Sequence, residues 1–93
     1  MQRLRKSKNY HKMDVVIVYE TDAQHSKASR NVVAVCSSKR AAISLVVNDL
    51  LEKKIIEPKD IATYRNELNE KSQTQGLDNN FLLTETTVNK FIQ

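Results

Sequence analysis

The chain has one cysteine, one glycine, one proline and no tryptophan in 93 residues. Each scarcity excludes something. With Cys36 alone, no intramolecular disulfide can form. One cysteine and two scattered histidines also exclude the zinc ribbon and finger patterns, which need clustered Cys and His ligands. A single glycine leaves no glycine-rich loop to cradle a phosphate. No paired-carboxylate or metal-ligand spacing is present, so no metal or cofactor is expected. The longest apolar runs are five residues, as at Val15–Tyr19. A membrane span needs roughly 20, and the core of a secretory signal about 7–15. The expectation is a cytoplasmic protein that does not enter a membrane.

Acidic residues are missing from the first segment. Residues 1–12 carry Arg3, Arg5, Lys6, Lys8 and Lys12 and no Asp or Glu, a charge of +5. The whole chain is +4, so residues 13–93 sum to −1. The basic character therefore belongs to a flexible leader over residues 1–12. Residues 13–93 read as a single domain. A chain of this size buries roughly 60–65% of its unfolded surface, enough for one modest core.

Asp14-Val-Val-Ile-Val-Tyr19 is β-branched, apolar and short, which predicts a central strand. Residues 21–30 are polar and rich in turn formers, and predict a loop. Asn31-Val-Val-Ala-Val-Cys36 repeats the strand pattern, so the two runs pair as a hairpin. Ser37-Ser38 can cap a helix whose apolar stripe is Ile43, Val46, Val47, Leu50 and Leu51, with Lys53 and Lys54 in its last turn. Pro58 opens a second helix, with Ile56 and Ile61 at staple spacing. Its buried face is Ile61, Tyr64 and Leu68, and it should end near Lys71. Residues 72–80 form a linker around Gly76, and Phe81–Val88 a third strand whose inward face is ambiguous. Phe91 and Ile92 offer apolar groups that could fold back.

The order β-β-α-α-β predicts an α+β fold. A three-stranded antiparallel sheet, order 2-1-3, would carry two helices on one face. Both faces of the first strand are apolar, Val15/Ile17/Tyr19 and Val16/Val18. Helices cover one. The other invites a protein partner or a homodimer, unless the leader or the tail covers it.

Three short runs carry a resemblance: Val18-Tyr-Glu-Thr-Asp-Ala-Gln-His-Ser-Lys-Ala-Ser29, Val35-Cys-Ser-Ser38 and Gln73-Thr-Gln-Gly76. Together they resemble a group of small uncharacterised bacterial, phage and mobile-element proteins. That group shares a T-D-x-x-H-S-x-x-S hairpin loop, a Ser/Thr turn from strand to helix, a Q-T-Q segment and a closing strand rich in Glu and Thr. The likeness spans roughly residues 13–90 and leaves the leader outside. Its members often carry Trp where this chain has Gln24. The resemblance implies a prokaryotic or viral accessory protein and brings no established activity.

Asp22, His25, Ser26 and Ser29 form the one dense cluster of reactive side-chain types. A catalytic reading makes His25 a base for Ser26 or Ser29, oriented by Asp22. The spacing matches no nucleophile elbow, and sequence neighbours rarely form a triad. The plainer reading is a loop held by its own Asp, His and Ser hydrogen bonds. With Arg30, these residues also make a candidate binding loop. The leader, with Tyr10 available to stack on a base, is a candidate nucleic-acid arm. Lys27, Lys39 and Arg40 could extend that basic surface. The leading expectation is a small non-enzymatic interaction or regulatory protein with a protein partner. Nucleic-acid binding through the arm is the alternative.

Overall fold

The computed structural model describes residues 14–87. The leader, Val88, Phe91 and Ile92 lie outside the described residues. The elements are β1 (Asp14–Asp22), β2 (Asn31–Cys36), α1 (Lys39–Glu52), α2 (Ile61–Lys71) and β3 (Asn79–Thr87). Single 3-10 turns at Lys27–Ser29 and Pro58–Asp60 precede β2 and α2. The sheet is antiparallel, order β2-β1-β3, as the apolar run of β1 predicts.

Val16 and Val18 of β1 face the helices and are buried, beside Phe81 and Leu83 of β3. This settles the inward face of β3. The opposite face carries Val15, Ile17 and Tyr19, all half-buried, with Val35 across from Ile17 and Val32 across from Tyr19. The β1–β2 ladder slips at Val33. Val18 pairs with Ala34 and Tyr19 with Val32, so Val33 has no opposite residue. One extra residue on one strand is a β-bulge.

β1 runs three residues beyond its apolar core. Glu20, Thr21 and Asp22 pair with Phe81, Asn80 and Asn79. The loop expected at 21–30 therefore starts two residues later, and β3 starts two residues earlier than Phe81. Distant pairing overrode local polarity in both places.

α1 begins where Ser38 Oγ accepts from Ala41 N at 3.1 Å. Its buried residues are Ala42, Ile43, Val46, Val47 and Leu50, and Leu51 packs half-buried against the core. Lys53 and Lys54 lie past its last residue, not inside its last turn. Lys54 takes a left-handed φ of 60°. Lys54 N donates to Leu51 O at 3.0 Å and Ile55 N to Leu50 O at 2.9 Å. This is a Schellman ending, usually built on glycine. Lys54→Gly is expected to raise stability by about 0.5–1 kcal/mol, because a Cβ is strained there. Urea unfolding checks it.

The chain then turns at Pro58. Glu57 N donates to Asp60 Oδ2 at 3.0 Å, and Asp60 N to Glu57 O at 2.8 Å. Ile56 is buried, and Ile61 and Tyr64 are half-buried against the core. Only Leu68 of α2 is fully buried. α2 packs chiefly on α1, and α1 contacts all three strands. Among the described residues, no helix is long and apolar enough to cross a membrane.

Candidate functional site

The loop after β1 is built on the Asp22 carboxylate. Oδ1 accepts from Gln24 N at 3.1 Å and Ser26 N at 3.0 Å, and Oδ2 accepts from Ser26 Oγ at 2.7 Å. A short carboxylate reaching its own following amides is the Asx-turn geometry. Ser29 Oγ closes the other side. It accepts from Asp22 N at 2.9 Å and donates to Ser26 O at 2.8 Å. His25 N donates to Asp22 O at 3.2 Å. Asp22, Ser26 and Ser29 are thus consumed in holding the loop.

These donors hold the Asp22 carboxyl below its ordinary 3.8, the Ser26 amide most and the Ser26 hydroxyl next, with partial burial opposing. The folded value is depressed, so the contribution to stability is present above the unfolded value. It is lost as pH falls through the folded one. Asp22→Asn should flatten the stability–pH curve below about pH 4, which urea unfolding at several pH values reads directly.

His25 points away from both serines. Its backbone is left-handed, with φ 59°. Its Nε2 lies 2.7 Å from Thr74 O, a carbonyl that can only accept, so Nε2 carries a proton. Nδ1 faces Thr21 Oγ1 at 3.4 Å. No bond joins His25 to the Asp22 carboxylate, Ser26 or Ser29 among the described residues. The base–nucleophile arrangement that the catalytic reading needs does not assemble in this loop.

The loop and the Gln73-Thr74-Gln75-Gly76 segment meet through that His25–Thr74 contact. Thr21, Thr74 and Asn80 are buried polar residues clustered there. Asn80 Oδ1 accepts from Thr74 Oγ1 at 2.9 Å and Leu77 N at 3.3 Å. Asn80 Nδ2 donates to Leu77 O at 3.1 Å and Ala23 O at 3.4 Å. Phe81 N donates to Thr74 Oγ1 at 3.0 Å. Thr74 and Asn80, rather than the glutamines beside them, satisfy the polar groups of this segment. Ser72–Thr74 also lies along the outer edge of β3. Leu83 N donates to Ser72 O at 2.8 Å, Thr74 N to Phe81 O at 3.0 Å, and Gln73 bridges Leu82.

The cations separate. Lys27 and Arg30 are exposed before β2. Lys39 and Arg40 follow its far end, and six strand residues between them span about 20 Å. Lys39 Nζ donates to Asn69 O at 2.9 Å. Arg40 shares a shallow hollow between α1 and α2 with Arg65, a cation that sequence reasoning passed over. Arg3, Arg5, Lys6, Lys8, Tyr10 and Lys12 lie outside the described residues.

The remaining candidate surface is β2. Val32, Val33 and Val35 are 56%, 46% and 62% exposed. Its outer edge pairs with no strand among the described residues. The run Asn31–Cys36 has neither charge nor proline. No protein-family model, curated protein or solved structure matches this chain.

Proposed function

We propose that this chain is a small non-enzymatic binding module that takes an extended segment of a protein partner along β2. The observation that carries the reading is the contrast between the two sheet edges. Ser72–Thr74 lies on part of the outer edge of β3. The β2 edge pairs with no strand among the described residues, and three of its six residues are exposed valines. Proteins usually blunt such an edge with lysine, proline or a bulge, and β2 has only the bulge at Val33. An added strand would satisfy the free backbone groups and give its side chains apolar neighbours in Val32 and Val35. The bonds of Ser29 Oγ to Asp22 N and Ser26 O fix the chain two residues before β2 begins.

The test is selection of random peptides on the full chain, followed by amide-resolved NMR titration with the selected sequences. Shifts and slowed exchange centred on Asn31–Cys36 are expected. Val35→Lys should weaken binding at least about tenfold while leaving the fold intact, because a charge on the edge disfavours pairing. Peptides that shift the 23–30 loop instead, or no enrichment over an unrelated small domain, would overturn the reading.

A nucleic-acid reading has one observation in its favour, the pairing of Arg40 with Arg65 beside Lys39. It calls for duplex binding that falls steeply with salt and moves the amides of residues 39–40 and 65–69.

A further inference from the structure

Five large apolar side chains stand exposed on the described domain. Val32 and Val35 have partners across the open sheet face. The other three, Val33, Leu45 and Ile55, line two adjoining hollows under the C-terminal end of α1. These hollows measure about 230 and 240 Å³ and share Glu20, Asp49, Lys53 and Phe81. Together they form one groove running from Val33 on β2, past Glu20 of β1, to Phe81 and Asn79 at the start of β3. Its apolar lining includes Val18, Phe81 and Leu77. Each hollow taken alone has room for a side chain, and the two in line suit successive side chains of one segment.

The polar lining is lopsided. Three carboxylates, Glu20, Asp49 and Asp78, face one ammonium, Lys53. Lys53 Nζ is already held 3.0 Å from Asp49 Oδ2. Asp49 chiefly, then Glu20 and Glu52, raise the Lys53 pKa above its ordinary 10.5, as expected in a negative field. A neutral apolar occupant would strip water from carboxylates without replacing it. An apolar occupant bearing cations would not.

We infer that this groove docks an apolar segment of a partner protein that carries lysine or arginine beside its apolar side chains. Charge complementarity sets the choice of partner: the exposed apolar groups supply contact area, and the carboxylates reject acidic segments. The groove crosses the strands, whereas a segment added to β2 would run along them. The two sites therefore differ in direction and share only Val33 and its neighbour Ala34 on β2.

The test uses two capped octapeptides, each with a central Val-Leu-Val-Leu. One has two lysines at each end and the other two glutamates. Both are titrated into the full chain and followed by amide NMR. The lysine peptide is expected to bind roughly tenfold more tightly at low salt, with shifts centred on Val33, Leu45, Lys53 and Ile55. That ratio should shrink at about 1 M salt, where screening reaches about 3 Å. In the Glu20→Gln/Asp49→Asn variant the two peptides should bind within about twofold of each other. Leu45→Lys should weaken both, with circular dichroism confirming that the fold is kept. Equal binding of the two peptides, no binding of either, or shifts confined to Asn31–Cys36 would overturn the inference. Shifts at these residues that grow with protein concentration, without peptide, would make a second copy the occupant and overturn it too. Peptide binding along β2 alone would leave the edge reading standing, so the two failures are distinguishable.

Discussion

Alanine at position 80 is expected to lower the unfolding free energy by about 3 kcal/mol, because several buried polar groups lose their partner at once. Asn80 is fully buried, and its side chain takes part in four hydrogen bonds, with Thr74 Oγ1, Leu77 N, Leu77 O and Ala23 O. Thr74 is itself 0% exposed, so water cannot easily replace the amide beside it. Asn80→Asp separates hydrogen bonding from volume. The carboxylate keeps both accepting bonds but cannot donate to Leu77 O or Ala23 O, and it buries a charge. Its folded pKa should be raised by burial, so the variant should gain stability relative to the parent as pH falls through that value. Urea unfolding of parent, Asn80→Ala and Asn80→Asp at neutral and acid pH reads all of this. Parent-like stability for Asn80→Ala would mean that the cluster is not holding the 72–80 segment.

Leu68→Ala should cost about 3 kcal/mol, within the usual range for a leucine deleted from a packed core. The more telling expectation is where the loss is felt. Leu68 is the one fully buried residue of α2, whose eleven residues are otherwise half-buried or exposed. An isolated helix of that length is marginal in water. Without Leu68, only Ile61 and Tyr64 remain of its contacts with the core. Hydrogen exchange should show amides of residues 61–71 losing protection before those of α1 and the sheet. Uniform loss across the domain would show that α2 unfolds only with everything else.

Much of this architecture is legible in the sequence because its signals are local. The β-branched runs at 14–19 and 31–36, the Ser38 cap and the three- and four-residue stripe of α1 need no distant partner to be read. Asp22, Ser26 and Ser29 were likewise readable as turn chemistry, since their bonds stay within seven residues. What could not be read depends on distant contacts. His25 meets Thr74 across 49 residues. Thr21 and Asp22 are strand residues only because Asn80 and Asn79 lie beside them. Asn80 sits in a polar run, Asp78-Asn79-Asn80, that looks like any solvated turn. Its one cue was the neighbouring glycine, and nothing marked it as buried. The groove is less legible still. Glu20, Asp49 and Asp78 come from three elements or their flanks, and no spacing links them.

The β1–β3 ladder has a consequence for how the domain is made. Asp14 lies opposite Thr87 at one end of that ladder, and their side chains bond across 73 residues of sequence. The central strand thus receives its second neighbour only from the last part of the described chain. A hairpin, a capped helix and a turn can form early, but Phe81 and Leu83 complete the core late. At synthesis rates of about 5–20 residues per second, the β1–β2 hairpin waits several seconds with one edge of its apolar strand unpaired. During that interval Val15–Tyr19 is open to mispairing with another nascent chain, a hazard that closes once β3 docks and leaves β2 as the open edge.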